Sequence, residues 1–183
     1  MYRLIDNELM SLGVGGGAGG GLGSGSGHYG TIDFELPDAV KSQMFTIRSK
    51  CTKVFHILRK GYAEAVYQRA LGVEFQNDGI PYDMEVSIPV EYQGHEIGVI
   101  RADIILRGEI PVIIETKATY YPLRQEDRWQ LIRYMRQKKI EYGVLVNFPQ
   151  IQGITQPFFD VIVEDNDEFY NVDLDDGIGV LVG

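Results

Sequence analysis

The chain has 183 residues, of which 44% are apolar and one is a cysteine. This length and composition suffice for one packed core, so we predict one principal domain. The sequence has no apolar run long enough to span a bilayer, its first residues lack the layout of a secretory signal, and a single cysteine excludes an internal disulfide framework. We therefore expect a soluble intracellular protein with no membrane partner.

The net charge of −9 is unevenly distributed along the chain. Residues 1–37 carry one basic and four acidic side chains, residues 38–157 carry sixteen and fourteen, and residues 158–183 carry eight acidic side chains and no Lys or Arg. Salt screens exposed charges over about 8 Å, so the local balance matters more than the total. The middle of the chain could approach a phosphate backbone, whereas the C-terminal part could not.

Composition also predicts the domain boundaries. Residues 13–27 are rich in glycine and serine, which is typical of a flexible tether. We predict a flexible N-terminal arm over 1–36, an α/β domain over 37–150, and an acidic C-terminal extension over 151–183. The extension is predicted to form a β-hairpin packed on the core, or two short edge strands, around Asp165–Asp167.

Two helices are predicted first. The first has Asp38 as its N-cap. Its apolar stripe recurs at spacings of three and four and comprises Val40, Met44, Ile47, Cys51, Val54 and Leu58. A second helix follows Gly61 and ends at Asp78-Gly79. Glu64 and Tyr67 share a face of it, although a glutamate on a helix is ordinarily a solvated surface residue.

From Pro81 the apolar period changes to two, which predicts three antiparallel strands. The first runs from Met84 to Tyr92 and turns at Gln93-Gly94, and the second runs from His95 to Leu106. The third ends at Glu115 and Lys117. A basic helix is predicted after Pro122, and the buried strand over 141–147 should then run parallel to the strand that precedes that helix.

Three charged side chains occur at the ends of otherwise apolar strands. Glu115 and Lys117 are two apart and project together, and Asp103 should lie across the ladder from them. Two acids and one lysine are costly to half-bury without partners. A divalent cation would supply the missing partner. A structural ion-pair cluster is the alternative.

Five motifs occur in order along this region. They are Gly61-x-x-Glu64-x-x-Tyr67, Arg101-Ala-Asp103, Glu115-x-Lys117, Gln130-x-x-x-Tyr134 and Val144-Leu-Val-Asn147-Phe148. The set, over roughly residues 40–148, resembles the GxxExxY group of the PD-(D/E)XK nuclease-like superfamily. The resemblance implies an α/β fold with a restriction-endonuclease-like core. Its mixed sheet of about four strands would be flanked by helices in the order α-α-β-β-β-α-β, with a C-terminal β extension.

The resemblance also implies roles for individual residues. Asp103, Glu115 and the backbone carbonyl of Thr116 would hold Mg²⁺ or Mn²⁺, and Glu64 would contribute through a water or at a second metal. Lys117 would orient or help to deprotonate the attacking water, or contact the scissile phosphate. Gln130 would position this network with support from Tyr134. The expected phosphate contacts are Arg101, Arg128 and Arg133.

These residues indicate a metal-dependent nuclease that acts on DNA, in repair, recombination or genome processing. The alternative is a non-catalytic interaction, packaging or structural protein on a nuclease-like fold, which would dock a protein partner through its N-terminal arm or acidic extension. A further hypothesis is that residues 158–183 shield the basic helix as a phosphate mimic. It predicts that truncation after Gly153 tightens DNA binding.

Overall fold

The computed structural model describes residues 31–182 and contains one eight-stranded sheet with the strand order β1-β8-β7-β6-β5-β4-β3-β2. The helices are α1 (Asp38–Leu58), α2 (Glu64–Asn77) and α3 (Gln125–Lys138). The strands are β1 (Thr31–Asp33), β2 (Tyr82–Tyr92), β3 (His95–Leu106), β4 (Val112–Lys117), β5 (Tyr142–Asn147), β6 (Phe158–Asp165), β7 (Glu168–Val172) and β8 (Ile178–Leu181). Among these residues, no helix is both long and apolar enough to cross a membrane.

The predicted mixed α/β core is present. Strands β2, β3 and β4 form an antiparallel meander, and β5 pairs parallel to β4 after the connection through α3. One core lies between the sheet and the pair α1 and α2, and it includes Ile114 and Val144. A second core lies beneath α3 on the opposite face and includes Ile113 and Leu145. Alternate residues of the central strands therefore supply opposite cores, as the period of two requires.

The start of α1 differs from the prediction. Pro37 takes the N-cap position, without a side-chain hydrogen bond, and Asp38 is the first helical residue. The fixed φ of a proline suits a residue that enters a helix. The Asp38 carboxylate then lies in the first turn, where the helix dipole favours a negative charge.

The sheet has eight strands and not about four, because the acidic C-terminal segment extends it. Strand β6 pairs antiparallel with β5, and β7 and β8 follow in turn. The inward side chains of this segment are apolar and buried, including Val161, Ile162 and Phe169. Its acids lie at or near strand ends and in turns, except Asp160, which is partly buried against Arg128 of α3. Truncation after Gly153 would remove three strands and part of both cores, so that experiment would unfold the protein and could not test shielding.

The last residues of the predicted N-terminal arm also join the sheet. Strand β1 pairs antiparallel with β8 at the edge, and Phe34 follows it into the core. A Cβ atom on Gly179 would lie 2.4 Å from the Phe34 ring, so only glycine allows this close packing. The predicted flexibility of residues 1–30, and a partner docking there, lie outside the described residues.

Candidate active site

The alternation of side chains between the two cores is interrupted in β2 and β3 at the level of Asp103. Met84 and Ile104 pack with the core beneath α1 and α2, whereas Val86 and Ala102 pack with the core beneath α3. Between these two pairs, Glu85 adopts a positive φ of 51°. A non-glycine residue in this region of φ is uncommon. The β3–β4 ladder also ends at Ile104 opposite Ile114. The predicted ladder pairing therefore stops just before the level of Asp103.

Instead, the Asp103 carboxylate accepts hydrogen bonds from Thr116, which follows Glu115 in β4. Its Oδ2 accepts hydrogen bonds from the amide N–H of Thr116 and from Thr116 Oγ1, both at 2.8 Å. Gln68 of α2, which is buried, donates from Nε2 to the same Thr116 hydroxyl at 2.9 Å. Sequence reasoning missed both the Gln68 amide and the Thr116 hydroxyl. Together they fix the orientation of the Asp103 carboxylate.

A second network fixes Glu115 and Lys117 on the face beneath α3. Glu115 Oε1 accepts hydrogen bonds from Lys117 Nζ at 2.6 Å and from Gln130 Nε2 at 2.7 Å. Gln130 Nε2 also lies 2.8 Å from the Tyr134 hydroxyl, and Gln130 Oε1 lies 3.3 Å from Lys117 Nζ. The structure thus brings together the four residues for which the sequence indicated a network.

Glu64 completes a group of four charged side chains, which we call the acidic notch: Glu64, Asp103, Glu115 and Lys117. Desolvation and the nearby Asp103 charge raise the pKa of Glu64, while Lys117 opposes that rise. Burial, followed by the charge of Asp103, raises the pKa of Glu115 to about 8. The carboxylates raise the pKa of Lys117 although its own burial opposes this. All three shifts favour extra protons: burial disfavours the charged forms of Glu64 and Glu115, and the gathering of three carboxylates around one lysine adds to the effect.

The notch fits a divalent cation. Glu115 is only 2% exposed, and its Oε2 atom is buried with no hydrogen-bond partner among the described residues. A buried carboxylate oxygen without a partner is costly unless a cation or a proton neutralises it. Within residues 31–182, no three His, Cys, Asp or Glu side chains are grouped closely enough to hold a metal ion by themselves. Mg²⁺ needs fewer, since it is commonly bound by one or two carboxylates and keeps several waters.

The three predicted phosphate contacts differ in their surroundings. Arg101 is exposed and lies 3.9 Å from Glu85, and Arg133 is exposed on α3. Arg128 is instead partly buried, and its Nε donates to Asp160 Oδ2 at 2.8 Å, with a second contact from Nη2 at 2.7 Å. Asp160 belongs to β6, which the sequence predicts as part of a C-terminal hairpin packed on the core. In this structure Arg128 is already neutralised by that carboxylate.

Tyr67, the last position of the first motif, supports the notch from behind. Its ring is fully buried and stacks on Phe148, with 4.6 Å between ring centroids and 7° between planes. Its hydroxyl donates to the carbonyl oxygen of Arg59 at 2.7 Å and lies 3.2 Å from Gln150 Nε2. The loop before α2, and with it Glu64, is thereby held against the end of β5.

The fold and the notch define a class: a mixed α/β protein whose central strands present an aspartate and a Glu-x-Lys pair at one place. A model of the PD-(D/E)XK nuclease superfamily matches residues 41–157, a span that contains the whole notch. The chain therefore belongs to the PD-(D/E)XK nuclease superfamily. A solved structure described as "Crystal structure of SSO0001" aligns over 67% of this chain and 67% of its own, with 21% identity and a TM-score of 0.42. No curated protein matches the chain.

Proposed function

We propose that this protein is a metal-dependent nuclease of the GxxExxY group that hydrolyses phosphodiester bonds in DNA. The observation that supports it most is the Glu115 carboxylate, which is buried beside two further acids and has one oxygen that finds no hydrogen-bond partner within residues 31–182. A structural ion pair would not need three carboxylates for one lysine. Superfamily membership supports the same chemistry.

Asp103 and Glu115 would hold Mg²⁺ or Mn²⁺ with the backbone carbonyl of Thr116. When bound, the cation would neutralise charge on the phosphoryl oxygens and make a water more acidic. Thr116 and Gln68 keep the Asp103 carboxylate in one orientation. Side chains that hydrogen-bond to the metal ligands without touching the metal are characteristic of metal sites, where they fix the orientation of the ligands.

Lys117 would act as a fixed positive charge and hydrogen-bond donor. An ammonium group has three N–H donors, and here two point at Glu115 and Gln130. One donor is left for a phosphate oxygen or for the attacking water. Because the pKa of Lys117 is raised, its amine stays protonated at neutral pH, which disfavours the alternative role of a general base. Glu64, whose pKa is also raised, is a better proton acceptor than an ordinary glutamate.

Cleavage assays test this proposal. Supercoiled plasmid and single-stranded DNA should be cleaved in Mg²⁺ or Mn²⁺ and left intact in EDTA. Lys117→Ala should abolish cleavage, while Lys53→Ala, at an exposed lysine of α1 that pairs with Glu74 of α2, should not. Equal cleavage by the wild-type protein and Lys117→Ala would trace the activity to a contaminant and remove the support for the proposal.

One observation favours the non-catalytic alternative. The Arg128–Asp160 ion pair neutralises an arginine that a nuclease would present to phosphate. A protein that binds DNA in a salt-dependent manner but never cleaves it in either metal would support an interaction or packaging role. The same result would contradict the nuclease proposal.

A further inference from the structure

Three large tyrosine rings are exposed on the two loops next to the notch. Tyr62 is 49% exposed in the loop before α2, two residues before Glu64. Tyr120 and Tyr121 are 69% and 62% exposed in the loop after β4, three and four residues beyond Lys117. We call these three residues the tyrosine rim. None of the three is a buried member of either core, although the Tyr62 ring meets the buried Tyr67 ring edge-on, with 6.3 Å between ring centroids. One face of each exposed ring therefore remains available to a ligand.

Buried polar side chains hold the loop that carries two of these rings. Asn147 is fully buried at the end of β5, and its Oδ1 accepts a hydrogen bond from the amide N–H of Thr119 at 3.0 Å. Its Nδ2 donates to the carbonyl oxygen of Tyr121 at 2.7 Å, and Thr119 Oγ1 donates to the same oxygen at 3.0 Å. An interior amide side chain is thus used to fix a surface loop. The two rings are displayed by a built structure and not by a loose segment.

A second buried amide ties this loop to the loop of Tyr62. Gln150 Oε1 accepts a hydrogen bond from the amide N–H of Gly61 at 2.7 Å. The amide N–H of Gln150 donates to the carbonyl oxygen of Thr119 at 2.9 Å. The two loops that carry the rim are therefore joined through Gln150. The loop of Tyr62 leads into α2, which carries Glu64, and the loop of Tyr120 and Tyr121 follows β4, which carries Glu115 and Lys117.

Basic side chains lie among the rings. The guanidinium carbon of Arg124 lies 5.3 Å from the centroid of the Tyr121 ring, a cation–π arrangement. Arg59 and Lys60 are exposed immediately before Gly61 and Tyr62. Aromatic faces mixed with cations are the means by which proteins bind single-stranded nucleic acid: the bases stack on the rings and the cations follow the backbone. In a blunt duplex the base faces are occupied by one another, so the rings would gain no stacking partner.

We propose that the tyrosine rim binds unpaired bases, so that the strand offered to the notch is single-stranded nucleic acid, either a free strand or an unpaired end. The inference rests on the proposed nuclease function for bringing a nucleic acid to this site. It adds the substrate class: an unpaired segment is the preferred ligand, and the rings fix its position beside Glu64 and Lys117.

Binding measurements on the full chain test this inference. The probes are fluorescein-labelled oligothymidylate, oligouridylate of the same length, and a blunt duplex, each in Ca²⁺ with a gel to verify that the probe stays intact. Tyr120→Ala/Tyr121→Ala should weaken single-strand binding by about 5- to 150-fold for each ring that stacks. Tyr120→Phe/Tyr121→Phe keeps the aromatic faces and should bind like the wild type. Comparison of the two single strands shows whether the ribose hydroxyl matters.

Tyr92→Ala is the matched control. Tyr92 is also 62% exposed, but it lies beside the turn of the β2–β3 hairpin and outside the two tied loops. Thermal melts show whether each variant is folded. The inference is overturned if the duplex binds as tightly as the single strands, if the double alanine variant binds normally, or if Tyr92→Ala loses as much affinity.

The outcomes also separate this inference from the nuclease proposal. If the rim variants cleave DNA as fast as the wild type in the presence of metal, the nuclease proposal is supported and the proposed binding of unpaired bases by the tyrosine rim is refuted. If single strands bind in a manner that depends on the rim but are cleaved in no metal, base binding by the tyrosine rim is supported and the nuclease proposal is refuted.

Discussion

Replacement of Glu115 by glutamine should stabilise the metal-free protein at alkaline pH. The folded protein raises the pKa of Glu115 from 4.5 to about 8, so the folded state holds this proton more tightly than the unfolded chain does. The stability that this proton confers is therefore complete below about pH 4.5 and is lost as the pH rises to about 8. An introduced glutamine amide is neutral at every pH and removes that loss.

The size of the effect follows from the shift. A rise from 4.5 to about 8, at 1.36 kcal/mol per unit, corresponds to about 5 kcal/mol as an upper limit. Since Lys117 and the surrounding side chains can relax around the ionised carboxylate, we expect 2–5 kcal/mol, roughly, from the same relation. Near pH 5 the wild-type carboxyl is protonated and resembles the amide. The two proteins should then be similarly stable at pH 5 and diverge by pH 9.

Denaturant unfolding of both proteins at pH 5 and pH 9, in EDTA, measures this difference directly. Titration of groups that do not interact with Glu115 cancels in the comparison, whereas Lys117 and Tyr134, whose pKa values Glu115 helps to raise, contribute to the difference. If Glu115 and Lys117 were only a structural ion pair, Glu115→Gln would leave a half-buried ammonium with a lost partner and would cost about 3–5 kcal/mol at neutral and alkaline pH. A variant less stable than the wild type at pH 9 would therefore refute the reasoning, and the cation site with it.

Three further predictions concern the same site. Lys117→Met should abolish cleavage yet tighten Mn²⁺ binding, since the carboxylates lose the ammonium that bonds to Glu115. Mn²⁺ titration by calorimetry tests this, with Lys53→Met as control, and weaker Mn²⁺ binding in Lys117→Met would contradict it. Thr116→Val should weaken Mn²⁺ binding by about 10- to 100-fold, because Asp103 loses the hydrogen bond from the Thr116 hydroxyl that fixes its carboxylate. An unchanged Mn²⁺ affinity would show that the hydroxyl is dispensable. Asp160→Asn should release Arg128 from its ion pair and tighten DNA binding. The salt dependence of DNA affinity should steepen by about one phosphate contact. An unchanged slope of affinity against salt concentration would show that Arg128 does not contact the DNA.

The central elements were predictable because their patterns are strong and local. The period-two stretch between Pro81 and Lys117 specified the meander, and the apolar stripe of α1 marks the face that is buried. The hairpin of β6 and β7 is predicted, but its pairing with β5 in the central sheet and the added strands β8 and β1 are not. In β6, β7 and β8 the apolar alternation is short and interrupted by acids, so charge dominated the interpretation of that segment. Strand β1 has three residues and acquires its pairing only from β8, a contact that no local pattern encodes.

The site was predictable to the extent that it depends on position within a strand. The spacing of Glu115 and Lys117 places both on the face beneath α3, where Gln130 meets them. Two features lay beyond sequence reasoning. The change of face at Glu85 and Asp103 follows from one unusual backbone angle. The contact of Gln68 with Thr116 depends on how α2 packs against β4, which is a property of the assembled fold.

The proposed active site holds a cation between two carboxylates, and anomalous diffraction from a crystal soaked in Mn²⁺ tests this most directly. We predict one strong peak within coordination distance of Asp103 and of Glu115 Oε2, the oxygen to which no described residue donates a hydrogen bond. A map without a peak there, with Lys117 Nζ still bonded to Glu115 Oε1, would contradict the account.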